Sequence, residues 1–152
     1  MTKNILVSLC FVILAAAVLP AGQKPPSPGE TITRPDATSN DGLKVSGFQL
    51  IIRGPQKAGI TFTVKFKLTN TTNSPITFSP EFGIFCGCRW NNQNKDFGHA
   101  SKGKVLGPKN SIAFQAGGSF TAAGHWEFWP AYHVNGHFGP YQWNEIALDI
   151  TP

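Results

Sequence analysis

The stretch Ile60–Leu68 reads ITFTVKFKL and carries the clearest structural signal in the chain. Its apolar side chains alternate with Thr and Lys, so every second residue faces the same side of an extended backbone. The polar side carries Thr61, Thr63, Lys65 and Lys67. This pattern is typical of an antiparallel strand with one buried face and one face in water.

Alternation of the same kind extends outward from this strand in both directions. Upstream, Leu43–Ile52 (LKVSGFQLII) is the expected partner, and the phase slip at Gly47 and Phe48 predicts a bulge. Downstream, the pattern predicts further strands at Ile76–Phe78, Phe82–Trp90, Lys104–Leu106, Ser111–Gln115, His125–Val134 and Tyr141–Ile150.

Turn signals separate these segments. Gly107–Asn110 is a turn cluster, and Asn135–Gly136 predicts a tight hairpin turn. We expect residues 91–103 to form a polar loop in which Asp96–His99 is a turn, and Pro130 to lie on an edge or at a bulge because it offers no ladder donor. The sequence therefore predicts an all-β fold, an immunoglobulin- or fibronectin-like antiparallel sandwich of seven or eight strands after an N-terminal signal helix.

The N-terminal segment predicts export. Lys3 precedes the apolar run Ile5–Leu19, and small residues follow, which is the order of a secretory signal. We expect a signal peptide at residues 1–21, cleaved after Ala17 or Ala21, with an uncleaved membrane anchor as the alternative. Residues 22–42 are rich in Pro, Ser and Thr and predict a disordered tether, which leaves 43–152 as the domain. The protein is expected to be secreted or held at the cell surface.

Composition and charge narrow the classes of partner. The formal charge of +5 is mild and the basic residues form no run, so we expect no nucleic-acid partner. We also expect no membrane contact other than an uncleaved N-terminal segment. Twelve Phe and four Trp supply large rings that can fill the space between two sheets.

Three parts of the chain resemble a family of accessory sandwich domains in bacterial exported proteins. They are the strand end Leu68–Asn70, the turn at Gly107 and Pro108, and the segment Ala123–Phe128 (AGHWEF). Together they are similar to the cell-adhesion-related bacterial domain family (CARDB) over roughly residues 43–150. The resemblance implies a noncatalytic module for adhesion, display or ligand presentation, and it assigns no functional residue.

Cys86 and Cys88 are the cysteines that remain after signal removal. Their C-x-C spacing puts both side chains on one face of a strand, at the edge of bridging distance. Three states stay open: buried free thiols, a C-x-C disulfide, or a soft-metal or redox site, which would need further ligands.

Two histidines, His133 and His137, flank the predicted hairpin turn and can converge. With an acid such as Glu127 they would suit zinc or copper. Their spacing matches no standard metal motif, so we expect exposed or locally hydrogen-bonded histidines, no bound metal and no cofactor.

Aromatic residues are dense in the last third of the chain. Alternation puts Trp126, Phe128 and Trp143 or Ile146 inward, and we expect Trp129 and Tyr132 to be exposed. Exposed rings can stack on sugars or anchor a protein partner. The predicted ligand-binding residues are Trp129, Tyr132, His133, His137 and Tyr141; core packing is the alternative.

No catalytic motif stands out, so we predict that the chain is not an enzyme. The leading hypothesis is a noncatalytic binding or adhesion module for a carbohydrate or protein partner at the cell surface. The alternative is a structural subunit of a surface appendage or layer that oligomerises through sheet edges. A metal or redox role ranks third. The sequon Asn70–Thr72 is a glycosylation site or a polar turn.

Overall fold

The chain is all-β with antiparallel sheets. A computed structural model describes residues 29–139 and 145–152. The predicted signal peptide, the first part of the predicted tether, Tyr141 and Trp143 lie outside these described residues. Within them there is no helix, and hence none long and apolar enough to cross a bilayer.

Twelve strands make up the described part of the chain. They are β1 (Glu30–Thr33), β2 (Ala37–Thr38), β3 (Leu43–Ile52), β4 (Thr61–Asn70), β5 (Ile76–Thr77), β6 (Ile84–Trp90), β7 (Gln93–Ala100), β8 (Val105–Leu106), β9 (Ser111–Ser119), β10 (Gly124–Val134), β11 (His137–Gly139) and β12 (Ile146–Ile150).

The first sheet has the order β1-β3-β4-β9, with β2 also pairing with β3. Strands β3 and β4 are the predicted partners, and their register shifts between Ser46 and Gln49. Gly47 has a φ of 61° there, a conformation that glycine adopts at little cost. The predicted pairing and bulge are therefore confirmed.

The second sheet has the order β11-β10-β6-β7, with β12 also pairing with β10. On the side of β10 away from β6, two strands pair with its two ends: β12 pairs with Gly124–Phe128 and β11 pairs with Tyr132–Val134. The two short strands β5 and β8 form a separate ladder.

The apolar faces of the two large sheets pack against each other and form one core. Phe62 of β4 contacts Phe128 of β10, with ring centroids 5.0 Å apart, and Phe97 of β7 at 5.7 Å. The predicted inward residues Trp126, Phe128 and Ile146 are all buried. Large rings thus fill the space between the sheets, as the Phe content predicts.

The prediction of a disordered tether over residues 22–42 is wrong from Glu30 onward. Strand β1 pairs with Gln49–Ile52 and β2 pairs with Lys44 and Val45. The polar composition predicted disorder, but the segment pairs with the edge of β3. Backbone hydrogen bonds between strands hold it there, and they need few apolar side chains. Ile32 adds one apolar contact with the core.

The polar loop predicted at residues 91–103 is instead mostly strand β7. Asn91 and Asn92 have φ values of 44° and 65°, the left-handed pair that a tight two-residue hairpin turn requires. Strand β7 then runs back along β6, with Trp90 opposite Gln93 and Gly87 opposite Asp96. The predicted turn at Asp96–His99 is therefore wrong, because these residues lie on β7.

The Asn135–Gly136 turn is confirmed, with φ values of 49° and 80°. It joins β10 to the short strand β11 rather than to the segment from Tyr141 onward. Pro130 lies inside β10 opposite Cys86, at the interval between the stretches that β12 and β11 cover. On that side, among the described residues, Pro130 faces no ladder partner, so its missing N–H costs little.

Candidate functional site

The outer face of the second sheet, which points away from the core, carries its own apolar cluster. Phe85 of β6 and Trp129 and Ala131 of β10 are buried there, with Phe82 packed against them. Their strand neighbours Cys86 and Phe128 point to the core instead. Alternation along β6 and β10 therefore produces two buried layers, one on each face of the sheet.

A pocket of about 200 Å³ opens on this face. We call it the outer cleft. Its lining residues are Phe85, Gly87, Asn94, Lys95, Asp96, Trp129, Ala131, Phe138 and Gly139. They come from β6, β7, β10 and β11, so all four neighbouring strands of the sheet contribute.

Trp129 forms part of the cleft because Gly87 has no side chain. The two residues are opposite each other on β10 and β6, and a Cβ at Gly87 would overlap the Cε2 and Nε1 atoms of the indole. The ring therefore lies flat over β6, and the Arg89 guanidinium sits 5.7 Å from its centroid. Trp129 is only 5% exposed, so the prediction of an exposed ring is wrong.

Replacing Gly87 with Ala is expected to displace the Trp129 ring and destabilise the fold by about 1–3 kcal/mol, the cost of overpacking. Near-ultraviolet circular dichroism and denaturant titration measure the two effects. Gly117→Ala is the matched control, because its Cβ would meet only the Phe62 carbonyl oxygen at an ordinary 3.5 Å. Equal stability of the two variants would contradict the assigned packing.

Phe138 presents the accessible ring of the cleft. It is 43% exposed, and its ring packs edge-on against Phe82, with centroids 4.8 Å apart, and at a tilt against His133, with centroids 4.4 Å apart. His99 stacks on Phe85 at 5.0 Å on the same face. These contacts hold the Phe138 ring in place.

His133 belongs to this aromatic cluster and does not converge with His137. Its Nδ1 atom is buried and has no hydrogen-bond partner among the described residues. The predicted convergence of the two histidines is therefore wrong. Across the hairpin, His133 pairs with Phe138 and His137 pairs with Val134, so the two histidine side chains lie on different faces of it.

Tyr132 is fully buried, and the prediction of an exposed ring is wrong. Its hydroxyl donates to Asp41 Oδ2 at 2.9 Å and lies 2.6 Å from the Ser39 hydroxyl. Asp41 Oδ1 accepts from His137 Nε2 at 2.6 Å. Burial, followed by the Asp41 contact, raises the pKa of the Tyr132 hydroxyl. Tyr132 and His137 thus anchor the segment before β3.

The His137–Asp41 contact makes stability depend on pH. The hydrogen bond with Asp41 raises the pKa of His137, so its contribution is fully present below the unfolded value of about 6.5 and is lost as pH rises through the folded value. The stability difference between wild type and His137→Gln should therefore shrink as the pH rises above about 6.5. Denaturant titrations across this range measure it, and a difference that grows with pH would contradict the assignment.

Cys86 and Cys88 are free thiols on the core side of β6. The structure thus contains the first of the three predicted states and no disulfide between them. Burial raises the pKa of Cys86 and raises that of Cys88 to about 12. A protonated, buried thiol is a poor nucleophile and a poor metal ligand.

Glu127, the acid expected to complete a metal site with His133 and His137, contacts other residues. Its carboxylate pairs with Arg89 at 2.8 Å and lies 3.5 Å from His125, which also contacts Asp149 at 2.8 Å. The hydrogen bond with Asp149 raises the pKa of His125. Across residues 29–139 and 145–152, no group of three His, Cys, Asp or Glu side chains is placed to hold a metal ion.

Of the predicted ligand-binding residues, Trp129 alone lines the outer cleft. Tyr132 and His137 belong to the Asp41 contact, His133 packs behind Phe138, and Tyr141 lies outside the described residues. Sequence reasoning missed Phe85, Phe138, Asn94 and Asp96. The available signal was the tight-turn pair Asn91–Asn92, which implies that residues 93 onward fold back beside Gly87.

No protein-family model and no curated protein matches the chain. Among solved structures, the chain is similar to the X-ray structure of Northeast Structural Genomics Consortium target SoR45. The two share 10% sequence identity with a TM-score of 0.44, over 76% of this chain and 86% of that chain.

Proposed function

We propose that this chain is a noncatalytic binding module whose ligand enters the outer cleft. The observation that carries the proposal is a pocket of about 200 Å³ with aromatic and polar walls on the solvent side of a sheet. Concave sites with mainly apolar walls and a few placed polar groups are typical of ligand binding. The rigid sheet beneath the cleft keeps its walls in position.

The proposed place of action is outside the cytoplasm, secreted or at the cell surface. Lys3, the apolar run Ile5–Leu19 and the small residues after it support export. A partner at that surface is a carbohydrate or a protein. The resemblance to adhesion-related accessory domains agrees with this role.

The strand order supports an immunoglobulin-like arrangement. Strands β3, β4 and β9 take the order of strands A, B and E, and β12, β10 and β6 take that of G, F and C. Strand β7 then extends the second sheet beside β6. We propose that the domain is an immunoglobulin-like sandwich with this additional strand.

The position of the cleft agrees with ligand binding in such domains. The connection from β4 to β6 supplies Phe82, and the hairpin after β10 supplies Phe138, with ring centroids 4.8 Å apart. In immunoglobulin variable domains the corresponding B–C and F–G loops meet at one end and carry the binding site. Phe138 lines the outer cleft and Phe82 packs behind it, so the proposed site lies beside the same pair of connections.

Replacing Phe138 with Ala is expected to weaken ligand binding at least tenfold, about 1.4 kcal/mol, because it removes the accessible ring of the cleft. Its effect on folding should stay under about 1 kcal/mol, as for a partly exposed side chain. The measurements are glycan-array and surface-protein binding, with denaturant titration alongside.

Val105→Ala is the matched control, since Val105 is a 58% exposed apolar residue that does not line the outer cleft. The proposal expects Val105→Ala to bind as wild type does. It fails if wild type captures no glycan and no surface protein, or if Phe138→Ala binds as well as Val105→Ala.

A further inference from the structure

The outer cleft is apolar at one end and polar at the other. Strands β11 and β10 bring Phe138 and Trp129, while β7, on the far side of β6, brings Asn94 and Asp96. Gly87 lies between them on β6 and adds no side chain. A ligand in this cleft must therefore offer an apolar face toward one end and hydrogen-bonding groups toward the other.

The polar end is arranged for hydroxyl groups. Asp96 is 45% exposed at its side chain and lies 3.4 Å from His99 Nε2, so its carboxylate keeps acceptor capacity for further donors. Asn94 Oδ1 accepts from Arg89 Nε at 3.0 Å, which orients the amide so that its NH₂ is the donor for a ligand. An acceptor and a donor two residues apart on one strand suit neighbouring hydroxyls.

The charges around the cleft favour a neutral ligand. Asp96 lines it, and the Arg89 guanidinium, paired with Glu127 at 2.8 Å, lies over the Trp129 ring, whereas the Lys95 ammonium lies over Trp90. An acidic ligand would meet the Asp96 carboxylate, and a basic ligand would meet the Arg89 guanidinium. Neither sign is in excess, so charge complementarity selects no ionic group.

The size of the cleft limits the inserted group to one ring. Its volume is about 200 Å³, whereas pockets for drug-sized ligands have volumes of about 300–1,000 Å³. An apolar protein side chain would fit the aromatic end but would cover the Asp96 carboxylate and the Asn94 NH₂ group without hydrogen-bonding to them, which is costly. A pyranose has an apolar ring face and hydroxyls at its edge, and so satisfies both ends.

We propose that the outer cleft binds one neutral sugar ring, which stacks on Phe138 beside Trp129 and hydrogen-bonds through its hydroxyls to Asp96 and Asn94. The inference rests on the proposed binding function and names its ligand class. It also gives Asp96 a role in binding, since the carboxylate accepts hydroxyl hydrogens that an apolar ligand lacks.

The test is titration of the full chain with a panel of neutral methyl glycosides, namely those of glucose, galactose, mannose and N-acetylglucosamine. Methyl glucuronide and N-acetylphenylalaninamide represent an acidic sugar and a protein side chain. Indole and ring resonances of Trp129 and Phe138, followed by nuclear magnetic resonance, report on binding. We expect a dissociation constant of about 1 mM for at least one neutral glycoside, as for a weak single-ring ligand.

Asp96→Asn should weaken that glycoside at least tenfold, and Phe138→Ala should do the same. Asp149→Asn is the matched control: its side chain is 86% exposed on the same sheet and it does not line the cleft, so binding should stay within twofold of wild type. No response to any neutral glycoside, unchanged affinity in Asp96→Asn, or preference for the glucuronide would overturn the inference.

The same panel separates the two proposals. Binding of N-acetylphenylalaninamide in a Phe138-dependent manner, with no glycoside bound, would overturn the sugar assignment and leave the binding module standing. If no probe, glycan or surface protein binds in a Phe138-dependent manner, both proposals fail.

Discussion

Tyr132→Ala is expected to cost about 3–5 kcal/mol of unfolding free energy, the range for deleting a large buried ring. Tyr132 is fully buried in the core between the sheets, and its hydroxyl also bonds Asp41 and contacts Ser39. Because single domains are stable by about 5–15 kcal/mol, this loss takes much of the total. Denaturant titration of the purified variant measures it.

Tyr132→Phe separates the ring from the hydroxyl. It keeps the packing and removes the contacts to Asp41 and Ser39, so we expect a loss of about 1–2 kcal/mol. His137 still pairs with Asp41 in this variant. If Tyr132→Ala lost less than about 1 kcal/mol, the ring would have to be exposed, and the assignment of Tyr132 to the core would be wrong.

Asn70→Ala is expected to cost about 3 kcal/mol, because it leaves buried backbone groups without partners. The Asn70 amide is fully buried and donates to the carbonyl oxygens of Ser74 at 2.8 Å and Leu106 at 3.0 Å. Its Oδ1 accepts from the backbone N–H of Thr72 at 2.9 Å and from the Thr72 hydroxyl at 2.7 Å. One side chain thus ties the turn after β4 to β8.

Thr69→Ala is the matched control one residue earlier on β4. The Thr69 hydroxyl makes a 2.8 Å contact with the Ser111 hydroxyl in water, so its loss should cost only a few tenths of a kcal/mol. Equal effects at Thr69 and Asn70 would show that burial of the amide matters little. Since both amide hydrogens of Asn70 are engaged, the N-x-T sequon in the folded protein is a turn, and its amide is not accessible for glycosylation.

The fold could be predicted where side-chain direction is a local property. Alternation identified β3, β4 and β10, and the Gly47 bulge and the Asn135–Gly136 turn followed from residues with special backbone freedom. The strands β1 and β7 were missed for a different reason. They are held mainly by backbone hydrogen bonds to a neighbouring strand, and such bonds produce no recognisable pattern in a polar sequence.

The errors in the site have two separate origins. Tyr132 shares the phase of Trp126 and Phe128 along β10, so strict alternation would have placed it inward, where it is buried. Trp129 does point outward, but it is buried because Gly87 lets its ring lie flat on β6. The face to which a side chain points thus follows from alternation along its own strand. Whether that side chain is buried on the outer face depends on the side chains of the neighbouring strands.

The sequence by itself determined an antiparallel all-β chain with a ring-filled core, because the alternation of side chains along a strand is set by the backbone of that strand alone. Only the tertiary structure decided that Phe138, Trp129, Asn94 and Asp96 share one cleft. These residues lie on three strands that meet only through the pairing of β11, β10, β6 and β7. Contacts between residues far apart in the chain depend on which strands become neighbours, and no local pattern specifies that order.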